Sequence, residues 1–207
     1  AGVPLAAPSA NTSGKPSPTT AAHVAEDMDG KIDAIVDGGP CEVGVESTVL
    51  TLCAETPRIL RPGGVTPAML EEVLGEVDID DAVLGKLKEG EVAASPGMKY
   101  KHYSPNAEVY IVRGPIERFA DFVNAKDPQT TAALVFDGEE KYIRCRTLPF
   151  GAAGDELAHA HQLFFDLRTC DEMGIQNIYV RCPSDEGIGL AVMNRLLRAA
   201  EFRFIDV

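Results

Sequence analysis

From residue 107 to the end of the chain, short apolar runs alternate with longer amphipathic stretches. The runs that predict strands cover residues 109–112, 132–136, 143–147, 178–180 and 202–205, and the stretches that predict helices cover residues 115–123, 155–173 and 187–200. Strands that alternate with helices in this way are typical of an α/β domain with a mostly parallel sheet. We therefore predict such a domain over residues 107–207.

The first 66 residues have a different pattern, in which Gly, Pro, Ser and Thr recur at short intervals between brief apolar runs. Ser17 as N-cap and Pro18 at the first helical position predict a helix over residues 19–28. Further elements are predicted as strands over residues 34–36, 47–52 and 58–60 and as a Thr66-capped helix over residues 67–74. This mixture predicts an α+β unit with a small sheet over residues 1–74.

Between these two parts, residues 75–106 show only weak periodicity and are rich in acidic residues, Gly and Pro. Such a composition predicts a linker. Its last part, residues 94–105, is aromatic and basic, which is unusual for a passive spacer.

Charge and cysteine content narrow the classes of ligand. The net charge is -13, and a surface of that sign repels phosphate backbones, so any phosphate site must be local. No apolar run approaches the roughly 20 residues that cross a bilayer, and the first residues do not resemble a signal peptide. Five cysteines without a C-x-x-C pair predict neither a disulfide framework nor a zinc site. We therefore expect a cytoplasmic protein that does not bind membranes.

Residues 9–19 carry the first candidate site. Asn11 and the hydroxyl residues around it offer several donors and acceptors on one tight loop, and Gly14 lets the backbone approach a ligand closely. Lys15 adds a positive charge beside the predicted helix start, whose N–H groups favour an anion such as a nucleotide phosphate. On these residues alone, an ordinary helix cap after a polar turn is the favoured interpretation.

Two further motifs each allow two interpretations. In residues 44–49, Ser47 at the start of a strand could bind a carboxylate or an amine, or be an ordinary serine at a strand edge. In residues 58–63, Arg61 falls where a strand meets a turn, where its planar fork could bind phosphate oxygens or simply be solvated. Taken alone, neither motif defines a site.

The order and spacing of these motifs resemble the second half of the YrdC-like domain. The matching segments are Pro-Ser-Ala-Asn-x-Ser-Gly-x-Pro-Ser-Pro-Thr of residues 8–19, Gly-Lys-Ile-Asp of residues 30–33, Asp-Gly-Gly of residues 37–39, Gly-Val-Glu-Ser-Thr-Val of residues 44–49 and Ile-Leu-Arg-Pro-Gly of residues 59–63. Residues 95–105 resemble the linker of the two-domain members of that family, and residues 187–196 resemble the last helix of their C-terminal domain. The resemblance implies a Rossmann-like second domain and runs nearly from end to end.

The resemblance also implies the activity of a threonylcarbamoyl-AMP synthase. Members of that family join L-threonine, bicarbonate and ATP, with Mg²⁺, to give threonylcarbamoyl-adenylate and pyrophosphate, and a transferase complex then uses the product to modify tRNA. Carried over by position, the implied ATP contacts are Ser9, Ser17, Arg61, Ser95, His102 and Tyr103, and the implied threonine contacts are Ala7 and Ser47. The linker would form a lid over the site, with Lys99 and Lys101 as candidates for phosphate contact. Because positioning would supply most of the rate, we name no general base and no metal ligand of the protein.

The sequence departs from the family at its start. The N-terminal half of the catalytic domain, which in the family carries a basic element that grips the phosphates, does not precede residue 1. We therefore expect little or no synthase activity from this chain by itself. The alternative is a non-catalytic regulatory module that binds a nucleotide or a partner, although no G-x-G-x-x-G or G-x-x-x-x-G-K-[ST] motif is found. The acidic charge disfavours direct binding of tRNA.

Overall fold

The computed structural model describes residues 2–85, here called the N-terminal region, and residues 103–207. The N-terminal region holds helix α1 (Ala21–Met28), strands β1 (Val49–Thr51) and β2 (Arg58–Arg61), helix α2 (Pro67–Leu74) and strand β3 (Asp78–Ile79). Strand β2 lies in the middle of a three-stranded sheet, antiparallel to β1 and parallel to β3. The elements of the second range are, in chain order, β4 (Glu108–Arg113), α3 (Ile116–Asn124), β5 (Thr131–Val135), β6 (Arg146–Pro149), α4 (Glu156–Glu172), β7 (Asn177–Arg181), α5 (Gly189–Ala199) and β8 (Phe204–Asp206).

Residues 107–207, the C-terminal domain, contain a five-stranded sheet in the order β6-β5-β7-β4-β8. Every strand pair in this sheet is parallel, which confirms the predicted α/β architecture. Strand β6 begins three residues later than predicted. The reason is Asn124, whose side chain donates to Tyr142 O and accepts from Arg144 N, both at 2.8 Å, so that the preceding segment is held outside the sheet.

Alternation along the strands divides the apolar side chains of the C-terminal domain between the two faces of its sheet. On one face, Val109 and Ile111 of β4 pack in the cluster that contains the apolar sides of α4 and α5. On the other face, Val112 packs with Phe119 and Val123 of α3. The domain therefore has three layers.

The N-terminal region departs from the predicted pattern at several points. Helix α1 begins at Ala21 with Thr20 as its N-cap, because the Thr20 hydroxyl accepts from His23 N at 3.3 Å; the prediction of Ser17 as the cap is wrong. Residues 34–36 form no strand, and Val36 at their end is 93 % exposed, so burial does not hold this run in a sheet. Helix α2 is confirmed, with its N-cap hydroxyl accepting from Met69 N at 3.3 Å.

The described part of the segment predicted as a linker contains regular structure. Strand β3 pairs with β2, and a turn of 3-10 helix over Asp81–Val83 follows it. Val83 O accepts hydrogen bonds from Asn194 at 2.6 Å and from Arg198 at 3.1 Å, so helix α5 holds this turn.

The N-terminal region packs against helices α4 and α5. Gly44, with a φ of 83°, lies so close to α4 that a Cβ atom there would stand 2.5 Å from Ala160 O. Every residue of α5 is buried, since the helix has the parallel sheet on one side and the N-terminal region on the other. Within residues 2–85 and 103–207, no helix is long and apolar enough to cross a membrane.

Candidate functional site

A compact loop over residues 11–17 forms the centre of the candidate site. Lys15 N donates to Thr12 O at 3.1 Å, and the Asn11 amide donates to Thr12 O at 3.0 Å and to Lys15 O at 3.2 Å. Gly14 adopts a φ of 91°, which closes the turn. The loop is therefore shaped by its own hydrogen bonds before any ligand binds.

The carboxylate of Asp27, near the end of α1, holds this loop in place. Its side chain is fully buried and accepts from Thr12 N at 3.0 Å and from Arg168 at 2.8 Å, with Lys15 Nζ at 3.5 Å. Burial alone would raise the pKa of Asp27, but the hydrogen bonds from Arg168 and Thr12 and the two positive charges outweigh it, so that the pKa lies below its usual value. Asp27 is thus a buried carboxylate that stays ionised.

Ser17 takes part in a second buried contact. Its hydroxyl donates to one carboxylate oxygen of Glu46, and the other oxygen accepts from Arg195 Nε at 2.8 Å. Arg195 also donates to Pro62 O at 2.7 Å. Burial would raise the pKa of Glu46, but the Arg195 charge and the hydrogen bonds from Ser17 and Arg195 lower it below its usual value. Three of the predicted motifs, at residues 8–19, 44–49 and 59–63, therefore meet at one arginine of the C-terminal domain.

Arg61, Ser47 and Tyr103 border the same contact. Arg61 donates to Ser47 O from Nε at 3.2 Å and from a terminal nitrogen at 3.0 Å. Tyr103 is buried, with its ring centroid 5.7 Å from the Arg195 guanidinium carbon and 5.3 Å from the centroid of Phe164. Burial and the nearby Glu46 charge raise the pKa of the Tyr103 hydroxyl, which is therefore neutral at physiological pH.

A groove of about 340 Å³ lies beside the loop. Its lining includes Ala10, Pro18 and Thr19, which flank the loop. Asp37 and Gly38 contribute from residues 34–39, which form no helix or strand. Its walls are more apolar than polar, which suits a small organic ligand whose charged groups reach the groove rim.

The structure joins four of the eight implied contact residues and leaves the other four apart or undescribed. Ser17, Ser47, Arg61 and Tyr103 belong to the contacts around Arg195 described above. Ala7 and Ser9 are exposed in the segment that leads into the loop. Ser95 and His102, together with Lys99 and Lys101, lie outside the described residues. The ligand roles of all these residues stay predictions.

Four charged residues that the sequence analysis did not name as site residues hold the site together: Asp27, Glu46, Arg168 and Arg195. Asp27, Arg168 and Arg195 are buried on helices, whereas Glu46 is partly buried in a loop. A charged residue on the buried side of a helix is a signal that could have identified the three helical residues, because such residues need partners.

Two other features bear on ligands. Among the described residues, no group of three or more His, Cys, Asp or Glu side chains could hold a metal ion. A cavity of about 380 Å³ lies at the carboxyl ends of β5 and β6, the edge at which open α/β sheets bind ligands. Asp137 and Glu140 line this cavity, and their charge does not suit a phosphate.

A loop of small polar residues, held by buried arginines of a parallel α/β domain, defines a two-part α/β protein whose candidate site lies where the two parts meet. Residues 65–201 match the model of the family described as threonylcarbamoyl-AMP synthase, C-terminal domain, and residues 1–63 match the family described as telomere recombination. The chain belongs to the threonylcarbamoyl-AMP synthase family.

Relatives and solved structures agree with this assignment. The chain is 44% identical over 207 residues to the threonylcarbamoyl-AMP synthase of Pyrococcus abyssi and 43% identical over 207 residues to that of Bacillus subtilis, each time over 99% of its own length. It covers 60% and 59% of these two relatives. A crystal structure of P. abyssi Sua5 complexed with L-threonine superposes with a TM-score of 0.82 at 41% identity, over 97% of this chain and 58% of that one.

Proposed function

We propose that the protein is a threonylcarbamoyl-AMP synthase, which makes threonylcarbamoyl-adenylate and pyrophosphate from L-threonine, bicarbonate and ATP for the modification of tRNA. The observation that carries the proposal is the meeting of Ser17, Ser47, Arg61 and Tyr103 around the Glu46–Arg195 pair. These residues come from motifs up to 86 positions apart (103 − 17), and folding brings them to one place. The names of the relatives and the threonine complex of the similar structure support the same activity.

In this proposal L-threonine and ATP bind at the loop and the segments around it. L-Threonine lies at Ala7 and Ser47, and ATP lies at Ser9, Ser17 and Arg61, with Ser95, His102 and Tyr103 completing the nucleotide site. Lys15 is half exposed at the loop and adds a positive charge for the phosphates. The strongly negative overall charge makes such local cations necessary.

The chemistry asks the protein mainly to position its substrates. The amine of threonine combines with bicarbonate to give a carbamate and water, and a carbamate oxygen attacks the α-phosphorus of ATP while pyrophosphate leaves. When bound to the nucleotide, Mg²⁺ neutralises phosphate charge, and phosphate oxygens and water can supply most of its ligands. The described residues contribute a preformed loop and fixed N–H and guanidinium donors, which need no reorganisation during the reaction.

We further propose that the protein works in the cytoplasm and passes its product to the transferase complex that modifies tRNA. The alternative, a regulatory module that binds a nucleotide without chemistry, would use the cavity beyond β5 and β6. The carboxylates of Asp137 and Glu140 in that cavity speak against a nucleotide phosphate there.

A pyrophosphate-release assay tests the proposal in the full-length protein, by which we mean these 207 residues preceded by the N-terminal half of the catalytic domain, because we expect little or no activity from the 207 residues by themselves. We expect release that requires L-threonine, bicarbonate and ATP together, and that falls at least about tenfold in Arg61→Met. Arg144→Met, a change at an exposed residue just before β6, is the matched control and should keep the wild-type rate. ATP binding at Asp137 without pyrophosphate release would support the regulatory alternative and contradict the proposal.

A further inference from the structure

Two buried arginines of the C-terminal domain hold the loop over residues 11–17 from different helices, Arg168 by direct contact with Pro16 and Arg195 through Glu46. Arg168 of α4 is 3% exposed, and Arg195 of α5 is fully buried. Their partners lie 133 to 152 positions away along the chain. We propose that Arg168 and Arg195 are positioning residues, which fix the substrate loop so that the binding of ATP and L-threonine depends on the C-terminal domain. The inference rests on the proposed function.

Arg168 contacts both the end of the loop and the carboxylate beneath it. It donates to Pro16 O from two nitrogens, at 2.7 Å and 3.1 Å, and to the Asp27 carboxylate at 2.8 Å. Asp27 in turn accepts from Thr12 N at 3.0 Å. One guanidinium therefore fixes a residue at each end of the loop, Pro16 directly and Thr12 through Asp27.

Arg168 also determines how strongly Asp27 holds Lys15. Arg168 lies 2.8 Å from Asp27 Oδ2 and 3.2 Å from Glu26 Oε2, whereas Lys15 Nζ lies farther from the same two carboxylates, at 3.5 Å and 3.6 Å. Because Arg168 is the closer partner of Asp27, it neutralises the buried Asp27 charge. The Lys15 ammonium therefore remains partly in solvent. Without Arg168, Asp27 would draw Lys15 inward and away from an incoming phosphate.

Arg195 fixes the residue that follows Pro16. Its Nε atom donates to Glu46, whose other carboxylate oxygen accepts from the Ser17 hydroxyl. Its terminal nitrogens donate to Pro62 O at 2.7 Å and to Glu46 O at 3.3 Å. Because Pro16 and Ser17 are neighbours, the two arginines set the position of one peptide segment from two sides.

Stability alone does not account for these contacts. Replacing a buried ion pair by well-packed apolar side chains is often neutral or stabilising, so a hydrophobic interface would join the two parts equally well. Hydrogen bonds to chosen carbonyl and carboxylate oxygens add a defined geometry instead. Here the oxygens belong to Pro16, Pro62, Asp27 and Glu46, which lie within or directly against the proposed substrate motifs.

Arg198 provides a matched control within the same interface. It is 1% exposed on α5, one turn beyond Arg195, and donates to Ala82 O and Val83 O, away from the loop. Its replacement by Met removes an equally buried guanidinium without touching residues 11–17. A purely structural role of the interface arginines would make all three replacements equivalent.

The test compares Arg168→Met, Arg195→Met and Arg198→Met in the full-length protein by amide hydrogen exchange without ligand. We expect exchange of residues 10–19 to rise at least about tenfold in the first two variants and to stay unchanged in Arg198→Met, with β4 and β5 protected in all three. Arg168→Lys and Arg195→Lys, which keep the charge and fold more readily, should show intermediate exchange. Equal exchange in all variants, or a rise in Arg198→Met as well, would overturn the proposal.

Isothermal titration with ATP and with L-threonine provides the second readout. The Kd values should rise about tenfold or more in the two loop variants, because a small misplacement of binding groups is costly. The double variant with Glu46→Gln and Arg195→Met should have Kd values little higher than those of Arg195→Met alone, because the two changes break the same contact. Unchanged Kd values would contradict the positioning role. If the wild type binds neither substrate, the proposed function fails, while the hydrogen-exchange comparison still tests whether the arginines hold the loop.

Discussion

The sheet of the C-terminal domain is covered on both faces by apolar side chains such as Ile111 and Phe119, whereas the contacts that bury Ser17 and Asp27 of the N-terminal region are polar and charged. The first kind of burial is non-directional and needs only a matching shape. The second requires specific partners, and Arg168 and Arg195 of the C-terminal domain supply them. We therefore expect the conformation of the N-terminal region to depend on the C-terminal domain more than the reverse, because the apolar contacts on the sheet of the C-terminal domain are made largely within that domain.

The largest effect is expected from a change inside the C-terminal domain. Phe119 is fully buried against the sheet, and Phe119→Ala should lower the free energy of unfolding by about 3–5 kcal/mol. Urea denaturation measures this. Leu157→Ala, at a half-exposed position of α4, is the control and should change stability little. Equal losses in the two variants would contradict the division of the core described here.

A change at the contact between the two regions should have a smaller effect that is confined to one of them. In Gly44→Ala, a Cβ atom would meet Ala160 O at 2.5 Å, and the φ of 83° would be strained, so a loss of about 2–3 kcal/mol is expected. Hydrogen exchange should rise in the N-terminal region and stay unchanged in β4 and β5. Gly38→Ala, where a Cβ atom meets nothing within 4 Å, is the control. A rise in hydrogen exchange in both regions would show that each region depends equally on the other.

The stability of the C-terminal domain should also fall as the pH rises from about 4 to about 8, because of Asp166. Burial raises the pKa of this carboxyl to about 8, so the folded protein holds a proton that the unfolded chain releases near pH 4. Stability should therefore fall as pH rises through that window. Asp166→Asn cannot ionise and should lose less stability between pH 5 and about pH 6.5, by about 2 kcal/mol. Parallel pH profiles of the two proteins in thermal unfolding would contradict the burial of an unpaired carboxyl.

The N-terminal region should respond to acid instead, with the smallest of these effects. The pKa values of Asp27 and Glu46 lie below their usual values, so their contribution is complete above about pH 4.5 and is lost as pH falls through the lowered values. Thermal unfolding between pH 7 and pH 3 should show a loss of about 1 kcal/mol that is smaller in Asp27→Asn, in which only Glu46 of the two carboxylates remains. Asp37→Asn, at an exposed position, should keep the wild-type profile. A wild-type profile in Asp27→Asn would exclude Asp27 as the acid-sensitive group.

These two ways of burying side chains also explain what the sequence could predict. In the C-terminal domain, the period of two in β4 and the amphipathic α3 encode the fold locally, and the predicted parallel sheet is confirmed. The start of β6 could not be read from the pattern, because the side chain of Asn124 determines it from another element.

In the N-terminal region, the sequence pattern predicted fewer features correctly. Ser17 and Pro18 have the composition of a helix start, but the Ser17 hydroxyl donates to Glu46, and Thr20 caps α1. Residues 34–36 have the composition of a buried strand but are not paired into a sheet. The motif resemblance identified Ser17, Ser47 and Arg61, yet it could not identify Arg168, whose partners lie 141 and 152 positions away.

Ligand-dependent hydrogen exchange of the full-length wild-type protein tests most directly whether the two regions form one substrate site. With ATP and L-threonine present, we predict added protection in residues 9–19, 44–49 and 58–63 together, while α3 on the far face of the sheet stays unchanged. Protection confined to the cavity beyond β5 and β6, or no added protection in the three segments, would contradict a substrate site between the two regions.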